Sequence, residues 1–178
     1  MFKKVLTSYL YHLENRPVFT KMVSGSAVVG LGDAIAQWIS PHYKGFDKKR
    51  FASMLTYGFF ISGGFCHFWF RGLDKVFGQA MTVSNSIKKV LADQLILAPP
   101  EIVFFLWWSH YTSESTHSFT ELIKATLPSL LVQDYIIWIP SQFVNFYYIP
   151  EQHRVLFMCI ICVLWFAILS FTSHEFEY

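Results

Sequence analysis

The stretch FASMLTYGFFISGGFCHFWF, residues Phe51–Phe70, contains no Asp, Glu, Lys or Arg. A second stretch, VLFMCIICVLWFAILSFTS at Val155–Ser173, is also free of these residues. Each has roughly the 20 residues that an α-helix needs to cross about 30 Å of hydrocarbon. The chain is 53% hydrophobic and only 15% charged, so as a soluble domain it would expose large apolar patches. We therefore interpret it as an integral membrane protein.

Other apolar segments contain polar or helix-breaking residues. In the third segment, Pro99 and Pro100 predict a kinked helix. The stretch 125–150 is interrupted by three prolines, and is open to two interpretations: a broken or interfacial helix, or a fifth span. The predicted fold is all-α, an integral membrane helical bundle of about four transmembrane helices plus this proline-broken or interfacial helix. We place the spans at about 20–39, 51–70, 87–113 and 155–173, in a single membrane domain covering residues 1–178.

The first span has a stripe of small and polar side chains. Small residues at this spacing let another helix approach closely, whereas a buried carboxylate needs a partner or water. Asp33 and Gln37 therefore either form part of a polar path through the membrane domain or form hydrogen bonds that hold helices together. The stripe consists of Ser26, Gly30, Asp33, Ala34 and Gln37.

The pairing of an acid with an amide recurs along the chain. Three such pairs in a small membrane domain suggest a shared, partly hydrated interior. Arg154 is a candidate cationic partner for Asp134 in that interior. The further pore candidates are Asp93, Gln94, Gln133, Gln142 and Asn145.

Small residues also cluster in the second span. Gly58 and Ser62 have the four-residue spacing of closely packed helices, and Gly63 and Gly64 follow directly. A Gly–Gly pair inside a span indicates a close crossing or a kink. We therefore predict helix packing at these four residues.

The sequence gives no positive evidence for catalysis. The histidines lack metal-ligand spacing, and Cys159 and Cys162 are surrounded by apolar residues that disfavour a reactive thiolate. We find no nucleophile–base arrangement and no phosphate-binding glycine loop. The basic residues are scattered rather than lining one face, which argues against direct contact with nucleic acid. The chain is therefore predicted to have no catalytic site, metal or cofactor.

Several motifs occur in an order that resembles a known family. The chain resembles the Mpv-type / 22-kDa peroxisomal membrane protein family, small four-span proteins of the mitochondrial inner membrane and the peroxisomal membrane. Gly64 departs from it, since the family often has Pro there. The motifs are GDAIAQ (Gly32–Gln37), HFWFRGLD (His67–Asp74), ADQ (Ala92–Gln94), WIPSQFVNF (Trp138–Phe146), Pro150, Arg154, and Trp165 with Leu169 and Ser170.

The resemblance implies a weakly selective channel for small solutes in one of these two membranes. For the mitochondrial inner membrane, which we favour over the peroxisome, it also implies a contribution to membrane potential and homeostasis, including mitochondrial DNA maintenance. The alternative is a non-conducting structural protein that organises membrane complexes. Membrane lipid and small solutes are the expected partners. A small bundle has little room for a wide channel, so a pore is narrow or lies between the subunits of a homo-oligomer.

Overall fold

The computed structural model describes residues 2–40, 45–112, 118–149 and 151–175, and the side chains of 6–40, 45–112, 118–149, 157–158 and 160–172. The chain forms an all-α membrane bundle, and the described residues include no β-strand. Two π-helical segments, π1 (Gly58–Phe65) and π2 (Asp93–Leu97), each continue the helices on either side of them. The α-helices are α1 (Phe2–Asn15), α2 (Pro17–Ile39), α3 (Lys48–Tyr57), α4 (Cys66–Phe77), α5 (Val83–Ala92), α6 (Ala98–Thr112), α7 (Phe119–Tyr147) and α8 (Glu151–Glu175).

Local sequence signals fix where several helices begin and end. Asp47 caps α3, its side chain accepting hydrogen bonds from the backbone N–H groups of Lys49 and Arg50 at 2.9 and 3.0 Å. Ser118 and Glu121 form a reciprocal capping box at the start of α7. Gly78, with a positive φ of 87°, follows the last residue of α4. These short-range contacts mark where the three helices begin or end.

Three helices in the described part of the chain are long and apolar enough to cross a membrane: Pro17–Ile39, Val83–Thr112 and Phe119–Tyr147. The predicted span Phe51–Phe70 is helical but lies outside this set, because glycine, serine and histidine lower its mean hydropathy. The described apolar part of the last predicted span is the shorter stretch Ile160–Thr172.

The prolines of the third span and of α7 lie within continuous helical segments. Pro99 and Pro100 lie in the first turn of α6, directly after π2, so Val83–Thr112 continues as one helix; the predicted end of that span at residue 113 lies outside the described residues. The ambiguous stretch 125–150 lies mostly within the single helix α7. Pro128 and Pro140 face outward there. At 1.5 Å per residue, α7 is about 44 Å long, more than the hydrocarbon thickness of about 30 Å.

Helix α2 packs against α3–π1 on one side and α8 on another. The tightest crossing brings Gly25 onto π1, where a Cβ atom on Gly25 would lie 2.5 Å from the carbonyl oxygen of Gly58. Gly63 lies equally close to the backbone of Lys21 and Met22. The prediction of close helix packing by the glycines of the second span therefore matches this geometry at Gly58 and Gly63, but not at Gly64, whose Cβ would have at least 3.6 Å of space.

The small residues of α2 also contact two neighbours. The Ser26 hydroxyl donates a hydrogen bond to the carbonyl oxygen of Leu55 at 2.9 Å. A Cβ atom on Gly30 would lie 2.5 Å from the Leu55 side chain. Gly32, which the stripe did not include, lies against Phe166 of α8, whereas Ala34 is only half-buried.

We expect Gly63→Ala to destabilise the bundle by about 1–3 kcal/mol, because the added methyl group meets the α2 backbone, which cannot move independently. The measurement is the melting temperature of the purified protein in detergent. Gly64→Ala is the matched control, since its methyl group makes only ordinary contacts. Equal melting temperatures for the two variants would contradict the close crossing.

Candidate functional site

A cavity of about 240 Å³ lies inside the bundle, between α2, the end of α3, π1, α4, π2, α6, α7 and α8. Much of its wall is apolar and aromatic, but polar side chains from several helices converge on it. Five predicted interior residues meet there: Asp93, Gln94, Asp134, Gln142 and Asn145. The other polar residues on the wall are Lys21, Ser24, Ser62, Cys66, His67, Arg71, Asp74 and Glu101.

Asp93 is the centre of a hydrogen-bond network on the wall. Trp69 donates its indole N–H to Oδ1 at 2.9 Å. The amide groups of Gln94 and Gln142 donate to Oδ2 at 3.0 and 2.9 Å. Asn145 extends the network, since its side-chain amide donates to the side-chain oxygen Oε1 of Gln142 at 3.3 Å. The carboxyl group thus accepts from three donors, as a buried carboxylate requires.

A second acidic level lies deeper in the cavity. Helices α6 and α7 are consecutive, and the hydrogen bond between Asp93 and Gln142 joins their distant ends, so they run antiparallel. Glu101 follows Asp93 by eight residues, and Asp134 precedes Gln142 by eight. At 1.5 Å per residue, the backbones of Glu101 and Asp134 therefore lie about 12 Å along the helix axes from those of Asp93 and Gln142, at a similar depth.

The two ends of the cavity differ in character. One end reaches the surface at Arg71, an exposed residue, and Lys21 lies there with its Nζ 3.1 Å from Nδ1 of His67. At the other end, Tyr57 packs edge-on against Phe105, with ring centroids 5.2 Å apart, and against Phe166 at 6.2 Å. All three rings are buried and line the cavity. This aromatic cluster closes the far end.

The structure differs from the prediction for Asp33 and Gln37, because neither lines the cavity. Asp33 is fully buried, and its Oδ1 accepts from Nε of Arg50 at 2.7 Å and from the hydroxyl of Ser170 at 2.5 Å. Gln37 donates to the other oxygen of Asp33 at 2.9 Å and bonds the backbone of Asp47. The ion pair with Arg50 joins α2 to α3 and α8, which is the packing role left open by the sequence.

Two further predicted residues lie elsewhere. Gln133 is half-buried on a different face of α7 from Asp134, and it donates to the Ser129 hydroxyl at 2.9 Å. Arg154 lies outside the described side chains, so its pairing with Asp134 stays a prediction. Within the described residues, no group of three or more His, Cys, Asp or Glu side chains could hold a metal ion.

The sequence analysis missed several residues of the site. Arg50 is part of a basic run after a loop, which gives no hint of its buried partner. Trp69 lies in the HFWF motif, but only the folded chain brings it to Asp93. Of these residues, only Glu101 could have been identified from the sequence as a site residue, because it is an acid directly after tandem prolines in an apolar segment. The cavity wall and its aromatic end depend on contacts between distant segments.

Comparison with known proteins gives related chains along nearly the full length. The model of the Mpv17 / PMP22 family matches residues 111–170. PXMP2/4 family protein 2 of Dictyostelium discoideum is 34% identical, covering 97% of this chain and 93% of that protein. No solved structure matches the chain.

Two other relatives have names that state a membrane. Peroxisomal membrane protein 2 of Bos taurus is 30% identical, covering 94% of this chain and 89% of its own. Mitochondrial inner membrane protein Mpv17 of Danio rerio is 29% identical, covering 94% of this chain and 96% of its own. The relatives thus include proteins of both organelle membranes.

We expect Arg50→Met to destabilise the protein by about 3–5 kcal/mol, because it leaves the buried carboxylate of Asp33 without its cation. Thermal unfolding in detergent measures the effect, with Lys48→Met, an exposed cation on the same helix, as control. Adding Asp33→Asn to Arg50→Met should recover part of the loss. A melting temperature for Arg50→Met equal to that of Lys48→Met would refute this role of the ion pair.

Proposed function

The chain belongs to the Mpv17/PMP22 family of organelle membrane proteins, and on this premise we propose that it is a weakly selective channel for small solutes. The observation that carries the proposal is the polar cavity, which runs inward from the exposed Arg71 past two acidic levels. A protein that only filled space in a bilayer would gain nothing from placing Asp93, Glu101 and Asp134 on one apolar-walled cavity, since carboxyl groups in such a setting cost stability.

In this proposal the conformation described is closed, with the aromatic cluster of Tyr57, Phe105 and Phe166 as the barrier. The rings separate the cavity from the end of the bundle that holds the Asp33–Arg50 ion pair. Conduction then requires these rings to move apart. The cavity itself is narrow, which suits small solutes and excludes polymers.

The alternative is a non-conducting structural protein that organises membrane complexes. The ion pair between Asp33 and Arg50 favours it, because there a buried acid acts only in packing. It also agrees with the closed aromatic end. The structural alternative gives no role to the carboxyl groups at the two levels of the cavity, so we rank it second. An absence of catalytic activity and an assembly into homo-oligomers stay predictions.

We propose the mitochondrial inner membrane as the location, with the peroxisomal membrane as the alternative, since relatives are named for each. In the mitochondrion, solute flux would contribute to membrane potential and homeostasis, including mitochondrial DNA maintenance. Colocalisation of a C-terminally tagged form with markers of the two organelles tests the location. Signal over peroxisomes alone would overturn the first choice.

We expect the purified protein to conduct ions in planar bilayers and to release entrapped erythritol, but not dextran, from liposomes. Phe105→Ala should raise both activities, because it removes a ring that closes the cavity. If about 1.4 kcal/mol of the lost packing is specific to the closed state, the open fraction rises about tenfold.

Leu106→Ala is the matched control, since Leu106 is a neighbouring core residue that is fully buried and does not line the cavity. It should destabilise the protein without raising flux. Absence of conductance and release from both the wild-type protein and Phe105→Ala would reject the channel and favour the structural alternative.

A further inference from the structure

Three hydrogen-bond acceptors on the cavity wall lack a partner in the part of the chain that the structure describes. They are Oε1 of Gln94, Oδ2 of Asp134 and Oδ1 of Asn145. Each residue is only 3% exposed. A buried acceptor without a donor costs about 1–3 kcal/mol. Three on one cavity therefore offer acceptors to a molecule within it.

The hydrogen bonds to Asp93 determine which way the amide of Gln94 points. Asp93 accepts hydrogen bonds from the side-chain amide nitrogens of Gln94 and Gln142. The side-chain oxygen Oε1 of Gln94 is therefore the atom of this amide group that has no described partner. The amide nitrogen of Asn145 is likewise used by Gln142, which leaves its carbonyl oxygen. In both residues the side-chain oxygen is thus an acceptor without a partner among the described residues.

The charges along the cavity favour a cation. Among the described lining residues, the only Lys and Arg side chains are Lys21 and Arg71, and both lie at the open end. The deeper part adds the carboxyl groups of Glu101 and Asp134. A carboxylate that accepts from an ammonium or guanidinium forms a stronger hydrogen bond than one that accepts from a neutral donor.

We propose that the cavity binds a small, elongated organic cation with N–H donors at both ends, an ammonium or guanidinium solute. Asp134 and Glu101 supply the negative charge at the deeper level, and the side-chain carbonyl oxygens of Gln94 and Asn145 accept N–H groups at the other end, near Asp93. Tyr57 Oη and His67 Nε2, which also line the cavity without a described partner, can bind polar groups elsewhere on the solute. This inference rests on the proposed channel and names the class of solute that it prefers.

Three probes of equal chain length separate charge from size: putrescine, 1,4-butanediol and succinate. Isothermal titration of the purified protein in lipid nanodiscs measures binding of each. Putrescine should bind, butanediol should bind at least about tenfold more weakly, and succinate should not bind, as expected for charge-assisted hydrogen bonds. Butanediol binding as tightly as putrescine would overturn the preference for a cation and indicate a site for neutral solutes or water.

Asp134→Asn should weaken putrescine binding about ten- to a hundredfold, because it removes a charge from the site while keeping the shape of the side chain. Asp134 makes no hydrogen bond in the described part of the chain that this change would break. Glu14→Gln removes the same charge from the exposed helix α1 and is the control, with binding unchanged. Equal putrescine affinity for Asp134→Asn and the wild-type protein would overturn the assignment.

The outcomes also distinguish this inference from the channel itself. A wild-type protein that conducts and releases erythritol but binds no putrescine keeps the channel and loses the cation site. A protein that binds putrescine through Asp134 but conducts nothing keeps the site and loses the channel.

Discussion

A carboxyl group inside an apolar helical bundle has to be matched by donors, and this constraint organises the whole molecule. The chain meets it in two ways. At Asp33 the donors are a cation and a hydroxyl, and they come from α3 and α8, so matching the charge also joins three helices. At Asp93 the donors are an indole and two amides, which leave the carboxylate facing a cavity. The same chemical requirement thus produces a packing site and a cavity wall.

A close helix crossing borders the cavity on one side. Gly25 lets the backbones of α2 and π1 touch, which leaves no space for polar side chains between them. On the cavity side, π1 contributes Ser62 and Gly63, and α4 continues with His67 and Arg71. π-Helical segments often occur at functional sites because the wider turn redirects the side chains that follow. Here both π segments adjoin the cavity.

Much of the fold could be predicted from local patterns, and much of the site could not. Apolar segments of about 20 residues predicted an all-α membrane bundle, because an α-helix of that length crosses the hydrocarbon region. The three helices that are long and apolar enough to span are, however, the segments with polar residues or prolines rather than the two charge-free stretches. The prolines of α7 were less informative, since a proline on the outward face is tolerated where neighbouring helices hold the segment. Asp93 and Asp134 could be proposed from sequence as interior acids. Whether Asp33 also lines the cavity could not be predicted, because its partner Arg50 is 17 residues away in a different helix.

The difference between a matched and an unmatched acid gives the strongest link from structure to function. The carboxylate of Asp33 has a donor set within the protein, so a solute could bind there only by displacing Arg50. Asp134 has an oxygen without one in the described residues, and so do the amides of Gln94 and Asn145. Protein interiors rarely leave such groups unsatisfied without a reason. In the proposed channel, a cavity in which the unmatched atoms are acceptors selects its occupant by hydrogen-bond donors and charge, and its aromatic end controls whether that occupant passes through.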